Sequence, residues 1–207
     1  MSTDADRLRA RNLRTLGVLA ALFLLPLVAS FWLYYGTTWR PAGHVNHGQL
    51  ISPPRALPAG PLPRVSLAPG AGRELPDPEP TLFHGKWTLV YIGDGSCDAS
   101  CRRTLYVMRQ TQAALGSDMM RTARVFLVSG HCCATGYLAR AQAGLIVVDA
   151  SGARGARLLD EFPAWNRAYS LFVVDPLGNL MMRYDVRHSP GGLLVDLKKL
   201  LRLSAIG

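Results

Sequence analysis

The hydrophobic residues of the chain fall into one long run near the N-terminus and several short runs after residue 80. The long run, residues 16–35, contains no charged residue. A helix of this length crosses the hydrocarbon core of a bilayer. Trp32, Tyr34 and Tyr35 stand at its far end, and such aromatic residues favour the membrane interface. We therefore predict a single transmembrane helix over residues 16–35.

Arginines flank this run unevenly. Four of them precede it, between residues 7 and 14, whereas Arg40 alone follows within the next stretch of comparable length. Because basic residues stay on the cytoplasmic side of a span, the pattern predicts a cytoplasmic N-terminus, residues 1–15, and a C-terminal part outside the cytoplasm. A cleaved signal peptide is the alternative, but the apolar run continues past the small residues at 28–30. The prediction is a single-pass protein of a bacterial-type inner membrane with a periplasmic domain.

Residues 36–80 are rich in proline and glycine. Proline interrupts helices and favours extended chain. We therefore predict a tether between the span and a folded domain, with one short strand at 64–67. The folded domain is predicted over residues 81–207.

The hydrophobic pattern of this domain alternates between β-like and helix-like periods. Short apolar runs bounded by turn residues predict strands, and apolar residues three and four positions apart predict helices. The order, strand–helix–strand and then a hairpin and a helix, is that of a thioredoxin-like domain. The predicted strands are 87–92, 123–128, 145–148, 169–174 and 180–184, and the predicted helices are 102–115, 155–161 and one that begins at Ser189-Pro190. The predicted fold class is α/β, a thioredoxin-like domain tethered to a single N-terminal transmembrane helix.

The charge and the cysteine content narrow the range of functions that the domain can have. The net charge is +9, but the basic residues are scattered and the sequence carries no nucleic-acid-binding motif, so we expect no nucleic-acid partner. All four cysteines lie in the last domain. They are too few for a disulfide scaffold, and their number suits a redox or metal site.

The first cysteine pair follows the first predicted strand of the domain. Residues 93–96 interrupt that strand, and Cys97 and Cys101 come at or just before the start of the next helix. Residues four apart in a first helical turn share one side, with Cβ atoms about 6 Å apart. Thiolates are stabilised at a helix N-terminus, and two of them bind Cu(I), usually with one more ligand. They also form a disulfide where the turn lets them approach, and an inert structural disulfide stays open as an interpretation.

A second cluster, His131, Cys132 and Cys133, follows the next predicted strand. In a right-handed strand–helix–strand unit the two strands are parallel, so their carboxyl ends share one rim. The topology therefore predicts this cluster beside Cys97 and Cys101. Three interpretations are open: additional copper ligands, a resolving thiol pair, or small residues that are simply buried after a strand.

Several segments give the domain a family resemblance: residues 85–91, the pair Cys97 and Cys101, residues 171–178 and the leucine-rich helix at 193–201. On these residues the chain resembles the Sco/SenC family, the membrane-anchored, thioredoxin-fold copper chaperones of cytochrome c oxidase assembly. The resemblance covers residues 80–205 and agrees with the single N-terminal span. It implies that the two cysteines bind Cu(I), and that the partner is a cytochrome oxidase subunit or another copper or thiol protein.

One position departs from this resemblance. The family binds copper with two cysteines and a histidine that lies a few residues before the strand ending in Asp-Pro-x-Gly. Here that place falls at Arg167, and no histidine is near it. An arginine there would stabilise a thiolate or repel a cation, and His131, Cys132 or Cys133 would have to supply the third ligand.

Three hypotheses follow. The first is a membrane-anchored assembly factor for respiratory cytochrome oxidase that handles Cu(I), or the thiols of the copper site, through Cys97 and Cys101. The second is an enzyme, a thiol-disulfide oxidoreductase in which the same two cysteines are catalytic without metal. Arg167 favours the second hypothesis, and the spacing of three residues between the cysteines favours the first. The third is a non-catalytic, tethered interaction domain with an inert disulfide.

Overall fold

A computed structural model of the chain describes residues 2–37, 46–67, 82–188 and 190–204, with side chains from residue 9 onwards. The chain divides into two compact units, Met1–His44 and Val45–Gly207. The predicted first residue of the domain, Thr81, and the predicted helix cap, Ser189, lie outside the described residues.

The described part of the first unit contains helix α1, Ser2–Gly36. Its segment Arg9–Gly36 is 28 residues long and reaches a mean hydropathy of 2.3. The large apolar side chains of this segment, such as Phe23 and Phe31, are exposed. An α-helix rises about 1.5 Å per residue, so about 20 residues span the hydrocarbon core of a bilayer. Helix α1 is therefore a candidate membrane span, and it contains the predicted residues 16–35.

Six strands form one mixed sheet among the described residues of the second unit. The central strand pairs in parallel with the strand that follows it along the chain, and antiparallel with the first strand of the C-terminal hairpin. The strands are β1 (Gln49–Ala56), β2 (Trp87–Gly93), β3 (Thr122–Val128), β4 (Ile146–Asp149), β5 (Ser170–Val174) and β6 (Asn179–Asp185). Their order across the sheet is β1-β6-β5-β2-β3-β4, which places β2 in the interior.

Helices connect these strands and close the domain. Two short 3₁₀ helices, Gly116–Arg121 and Arg167–Tyr169, precede β3 and β5. The α-helices are α2 (Ala99–Ala113), α3 (Thr135–Ala141), α4 (Ala153–Asp160) and α5 (Pro190–Leu203).

The two faces of the sheet carry separate hydrophobic clusters. Leu89 and Tyr91 of β2 belong to a first cluster with residues of α2 and α5, and Val90 and Ile92 belong to a second cluster with residues of α4. Because both faces of β2 are covered, apolar residues occupy successive positions from Leu89 to Ile92 rather than alternate ones. The strand that leads to the first cysteine pair is therefore held by the core on both sides.

The predicted secondary structure is largely confirmed. Strands β2 to β6 begin and end within one residue of the predicted positions. Helix α2 begins three residues earlier than predicted, so that Cys101 lies inside its first turn. Helix α3 was not predicted. The predicted strand at 64–67 is wrong, because only Arg64 forms a bridge, to Val148.

The edge strand β1 corrects the predicted tether at 36–80. Residues Gln49–Ala56 pair antiparallel with β6, with a shift of register around Pro53 and Pro54. Proline cannot donate a hydrogen bond to a neighbouring strand, so its presence argued against a strand here. An edge strand tolerates proline on its outer side, which is why the sequence pattern was misleading.

A buried carboxylate holds the chain just before β1 onto helix α5. Asp196 is 3% exposed and accepts hydrogen bonds from the N–H groups of His47 and Gly48, at 2.7 and 3.1 Å, and from the Tyr184 hydroxyl at 2.9 Å. Burial alone would raise the pKa of Asp196. The hydrogen bond with the His47 side chain at 3.1 Å, together with those from the two N–H groups and Tyr184, outweighs burial and lowers the pKa below its ordinary value. The beginning of β1 is thus part of the folded domain.

Candidate functional site

Cys97 and Cys101 lie where β2 passes into α2. Cys97 has a φ of 50°, a left-handed conformation that residues other than glycine seldom adopt. The Cα atoms of the two cysteines are 5.0 Å apart, and their sulfur atoms form a disulfide. The turn therefore lets the two cysteines approach, as one of the predicted alternatives required.

Asp98 caps helix α2 between the two cysteines. Its Oδ1 atom accepts hydrogen bonds from the Cys101 N–H at 2.9 Å and from the Ser100 hydroxyl at 2.6 Å. These two hydrogen bonds lower the pKa of Asp98 below its ordinary value. Aspartate is a preferred N-cap because its oxygen satisfies a free N–H group of the first turn. The cap fixes the Cys101 backbone relative to Cys97.

The Cys97–Cys101 disulfide is buried. Cys97 is 1% exposed and Cys101 is 2% exposed, and both belong to the first hydrophobic cluster together with Tyr91 and Leu105. Burial, with a further contribution from the Asp98 charge, raises the pKa of Tyr91. A partner protein therefore has no direct access to either sulfur atom in this conformation.

Hydrogen bonds join this turn to the loop after β3. The Ala134 N–H donates to the Gly95 carbonyl at 2.7 Å, and the His131 N–H donates to the Asp94 carboxylate at 3.0 Å. At Gly95, a Cβ atom would collide with the His131 carbonyl oxygen and would lie 2.9 Å from the Cys132 Cα. The parallel pairing of β2 and β3 thus brings the two cysteine segments together, as the topology predicted.

Arg102 adds a positive charge to this contact. Its Nε atom donates to the Cys97 carbonyl oxygen at 3.1 Å, and its guanidinium lies over the ring of Tyr137 in α3, 4.9 Å from the ring centre. A cation beside a cysteine favours the thiolate over the thiol. The reduced form of Cys97 and Cys101 would therefore be stabilised both by Arg102 and by the N-terminus of α2.

Cys132 and Cys133 form a second disulfide, between adjacent residues. Cys132 is exposed, whereas Cys133 is partly buried and packs against the first hydrophobic cluster, to which Cys97 and Cys101 belong. The side chain of His131 is 99% exposed, and its Nδ1 atom is 3.4 Å from the Asp94 carboxylate. Of the two residues, Cys132 is therefore the one open to solvent and Cys133 the one in contact with the core.

The structure does not assemble the predicted metal ligands into one group. In residues 2–37, 46–67, 82–188 and 190–204, no three side chains of His, Cys, Asp or Glu converge on a point where a metal ion would sit. All four cysteines are in disulfides, and a disulfide sulfur is not a thiolate ligand. Metal binding by Cys97 and Cys101, with His131, Cys132 or Cys133, stays a prediction for the reduced protein.

Arg167 has a structural role that sequence reasoning missed. Its guanidinium donates to three carbonyl oxygens at and just after the end of α4, those of Leu159 and Phe162 at 2.7 Å each and that of Pro163 at 3.1 Å. Burial lowers the pKa of Arg167, with an opposing contribution from Asp160. All the side-chain hydrogen bonds that the structure gives for Arg167 thus go to backbone carbonyls rather than to the cysteine turn.

Two further residues of the site, Asp94 and Asp98, were not singled out from the sequence. Asp94 accepts from the Ser96 N–H at 2.8 Å and from the His131 N–H at 3.0 Å. Its pKa is lowered by a hydrogen bond from the Ser96 side chain, and further by these two N–H groups. The pattern Asp-Gly-Ser after a strand is typical of a turn closed by the aspartate side chain, and Asp98 directly before a helix is typical of a cap. These patterns were present, but they do not reveal that Asp94 reaches the loop of His131.

Replacing Asp98 tests the cap. We expect Asp98→Ala to lower the free energy of unfolding by about 1 kcal/mol, whereas Asp98→Asn, which keeps a capping oxygen, should lose much less. Because the folded pKa of Asp98 is lowered, its charge stabilises the fold above the unfolded pKa of about 3.9 and stops doing so as the pH falls through the folded value. Urea unfolding at several pH values should show the difference between wild type and Asp98→Asn shrinking in acid. A difference independent of pH would contradict this.

A family described as transmembrane-like, thioredoxin-like, C-terminal domain matches residues 87–204, which is more than half of the chain. The chain belongs to this family. The matched residues of this transmembrane-like, thioredoxin-like protein contain both cysteine pairs and run from β2 into α5. None of the curated proteins matches the chain by sequence.

Solved structures match the domain by fold. Copper-bound ScoI of Bradyrhizobium japonicum is 18% identical with a TM-score of 0.51, and the match covers 68% of this chain and 98% of that one. Copper-bound yeast Sco1 is 12% identical with a TM-score of 0.57, covering 71% and 94%. Apo Sco1 of Thermus thermophilus is 16% identical with a TM-score of 0.54, covering 77% and 99%. At such identities the likeness confirms the thioredoxin-like fold of the Sco proteins.

Proposed function

We infer that this protein is a membrane-anchored assembly factor for a respiratory cytochrome oxidase, and that it acts on the thiols of the oxidase copper site through Cys97 and Cys101. The observation that carries the proposal is the Cys97–Cys101 disulfide at the junction of β2 and α2. This disulfide lies in a domain whose fold is shared with copper-bound Sco structures. Two cysteines at a helix N-terminus form a pair that can pass between dithiol and disulfide.

The chemistry is a balanced exchange of a disulfide. Reduction of the Cys97–Cys101 bond frees the turn to open, so that one thiolate reaches a disulfide of the partner, attacks it and forms a mixed disulfide. The other thiolate then attacks the sulfur of its neighbour and releases the partner as a dithiol. Two electrons and two protons pass to the partner, and the Cys97–Cys101 disulfide is regenerated. Arg102 and the N-terminus of α2 favour the attacking thiolate.

Carriage of Cu(I) as a substrate is the second candidate, favoured by the copper-bound structures that share the fold. The donor set fits a soft cation in part, because reduced Cys97 and Cys101 would supply two thiolates. Arg167 is engaged with backbone carbonyls, so a third ligand would have to come from the adjoining loop, from His131, Cys132 or Cys133.

The placement of the domain supports either candidate. The arginines before the candidate span favour a cytoplasmic N-terminus. The domain would then face the periplasm, where disulfides persist because no glutathione pool reduces them. The partner we propose there is a cytochrome oxidase subunit or another copper or thiol protein.

Complementation tests the proposal. Cells that lack the protein should lose copper-oxidase activity, and wild type should restore it, whereas a Cys97→Ser/Cys101→Ser variant of equal abundance in the membrane should not. Rescue of that variant by a membrane-permeant dithiol, and not by added copper, supports thiol chemistry. Rescue by copper alone supports Cu(I) carriage, which stoichiometric Cu(I) binding by the reduced full-length protein should then confirm.

Two outcomes would overturn the proposal. Full oxidase activity with the double-serine variant would show that neither cysteine is needed. A reduction potential of the Cys97–Cys101 disulfide below about −300 mV would identify it as a structural bond, which is the third hypothesis, that of a non-catalytic interaction domain.

A further inference from the structure

The buried position of the Cys97–Cys101 disulfide raises the question of how electrons reach it. Both sulfur atoms belong to residues that are no more than 2% exposed. Thiol-disulfide exchange requires the attacking sulfur to contact a disulfide sulfur directly. A small reductant can enter by local opening of the turn, but a protein dithiol is too bulky to do so without large rearrangement. Reduction of this closed disulfide by a protein therefore needs a second route, whereas the reduced pair, no longer bonded to each other, can open toward a partner.

The neighbouring disulfide has the exposure that the first one lacks. Cys132 is exposed, and Cys133, bonded to it, is partly buried against the cluster that contains Cys97 and Cys101. Hydrogen bonds from Ala134 to Gly95 and from His131 to Asp94 fasten this loop to the turn of the first pair.

From this arrangement we propose that Cys132 and Cys133 are a redox relay between outside protein dithiols and the buried pair Cys97 and Cys101. The inference rests on the proposed thiol chemistry of Cys97 and Cys101 and adds the path by which that pair is reduced. Cys132 is the sulfur that meets the outside protein, and Cys133 is the one that meets the inner disulfide.

The relay conserves atoms and electrons. An outside protein dithiol reduces the Cys132–Cys133 disulfide and leaves as a disulfide. The Cys133 thiolate then attacks the Cys97–Cys101 disulfide, which gives a mixed disulfide and one free inner thiolate. The Cys132 thiolate attacks Cys133, which restores the outer disulfide and releases the second inner thiolate. In sum, two electrons and two protons from the outside dithiol reside on Cys97 and Cys101.

Digestion with trypsin separates the two cysteine pairs into different peptides, so the reduction of each disulfide can be followed on its own. Cleavage after Lys86 and Arg102 isolates the inner pair in one peptide, 87–102, and cleavage after Arg124 and Arg140 isolates the outer pair in another, 125–140. The oxidised full-length protein in detergent is mixed with reduced thioredoxin as the probe dithiol, quenched with acid, alkylated and analysed by mass spectrometry. Alkylation of peptide 87–102 over time measures reduction of the inner disulfide.

We expect Cys132→Ser/Cys133→Ser to slow reduction of the inner disulfide by thioredoxin on the order of tenfold or more, because the exposed entry sulfur is gone. Reduction by a small phosphine should keep the wild-type rate, which shows that the inner disulfide and its burial are unchanged. Equal rates with thioredoxin in wild type and variant would overturn the relay.

Single substitutions provide a second, independent measurement. Cys132→Ser leaves Cys133 as a free thiol toward the core, so a cross-linked product that joins peptides 87–102 and 125–140 should accumulate. Cys133→Ser, the matched control, leaves only the outward Cys132 and should give far less of this product. Absence of the product in Cys132→Ser would also overturn the relay.

The relay and the oxidase proposal can fail separately. The relay is measured with purified protein and thioredoxin, without an oxidase. If the relay operates in that assay but cells that lack the protein keep full oxidase activity, only the oxidase role is overturned. The opposite result is loss of oxidase activity in the Cys97→Ser/Cys101→Ser strain, together with equal rates of reduction by thioredoxin in wild type and Cys132→Ser/Cys133→Ser. That result would overturn only the relay.

Discussion

Arg167→Ala is expected to lower the free energy of unfolding by about 3 kcal/mol, because three backbone carbonyls at the end of α4 lose a charged donor. The affected oxygens are those of Leu159, Phe162 and Pro163. Leu159 and Phe162 are themselves buried, so their carbonyls have little access to replacement water. Chemical denaturation of the wild type and the variant measures the loss. Arg157→Ala, at an exposed position of the same helix, is the matched control and should be nearly neutral.

Arg167→His separates this structural role from a ligand role. Leu159 and Phe162, toward which the side chain of Arg167 points, belong to the second hydrophobic cluster, whereas Cys97 and Cys101 belong to the first. A histidine that keeps this direction cannot join the two cysteines. We therefore expect Arg167→His to lose stability as Arg167→Ala does and to leave Cu(I) affinity of the reduced protein unchanged. A clear gain of affinity would show that position 167 does face the copper site.

Gly95→Ala is expected to lower the free energy of unfolding by about 2 kcal/mol, because the added methyl group meets backbone that cannot rotate away. The collision is with the His131 carbonyl oxygen and the Cys132 Cα, so relief requires the two cysteine segments to separate. If the relay operates, the same variant should slow reduction of peptide 87–102 by thioredoxin while reduction by the phosphine holds or rises.

The control for Gly95→Ala is Gly191→Ala. Gly191 lies in the first turn of α5, and a Cβ atom there meets nothing within 4 Å. Alanine is favoured over glycine in a helix, so this variant should be neutral or slightly more stable. If both glycine variants behaved alike, the tight contact at Gly95 would not matter to stability.

The elements that bury a continuous apolar run were predictable. Residues 87–92 and 123–128 form β2 and β3 because hydrophobic burial favours apolar β-branched and aromatic runs at the centre of a sheet. The sequence also predicted that the two cysteine segments lie close together, because the strands of a right-handed strand–helix–strand unit are parallel and end at the same rim. Edge strand β1 was missed because Pro53 and Pro54 suppress the usual strand pattern, and helix α3 was missed because its few apolar residues show no clear period.

The roles of polar residues in the site were much less predictable. Nothing in the sequence distinguishes an arginine that would stabilise a thiolate from one that binds carbonyls at a helix end, and Arg167 does the second. Likewise, the sequence marks Asp94 only as a turn residue after β2, whereas in the structure its carboxylate also accepts a hydrogen bond from the His131 N–H. Whether such a hydrogen bond forms depends on how closely two segments that are remote in the sequence approach each other in space.

The sequence by itself determined the apolar helix that can span a membrane, the thioredoxin-like order of strands and helices, and the two cysteine segments on one rim. These follow from hydrophobic periodicity and chain handedness, which are local or topological. Only the tertiary structure decided that Cys97 and Cys101 are buried while Cys132 is exposed, and that Arg167 is engaged with α4. Burial and hydrogen-bond partners depend on how distant segments pack, and for this protein they decide which sulfur atom an outside partner can reach.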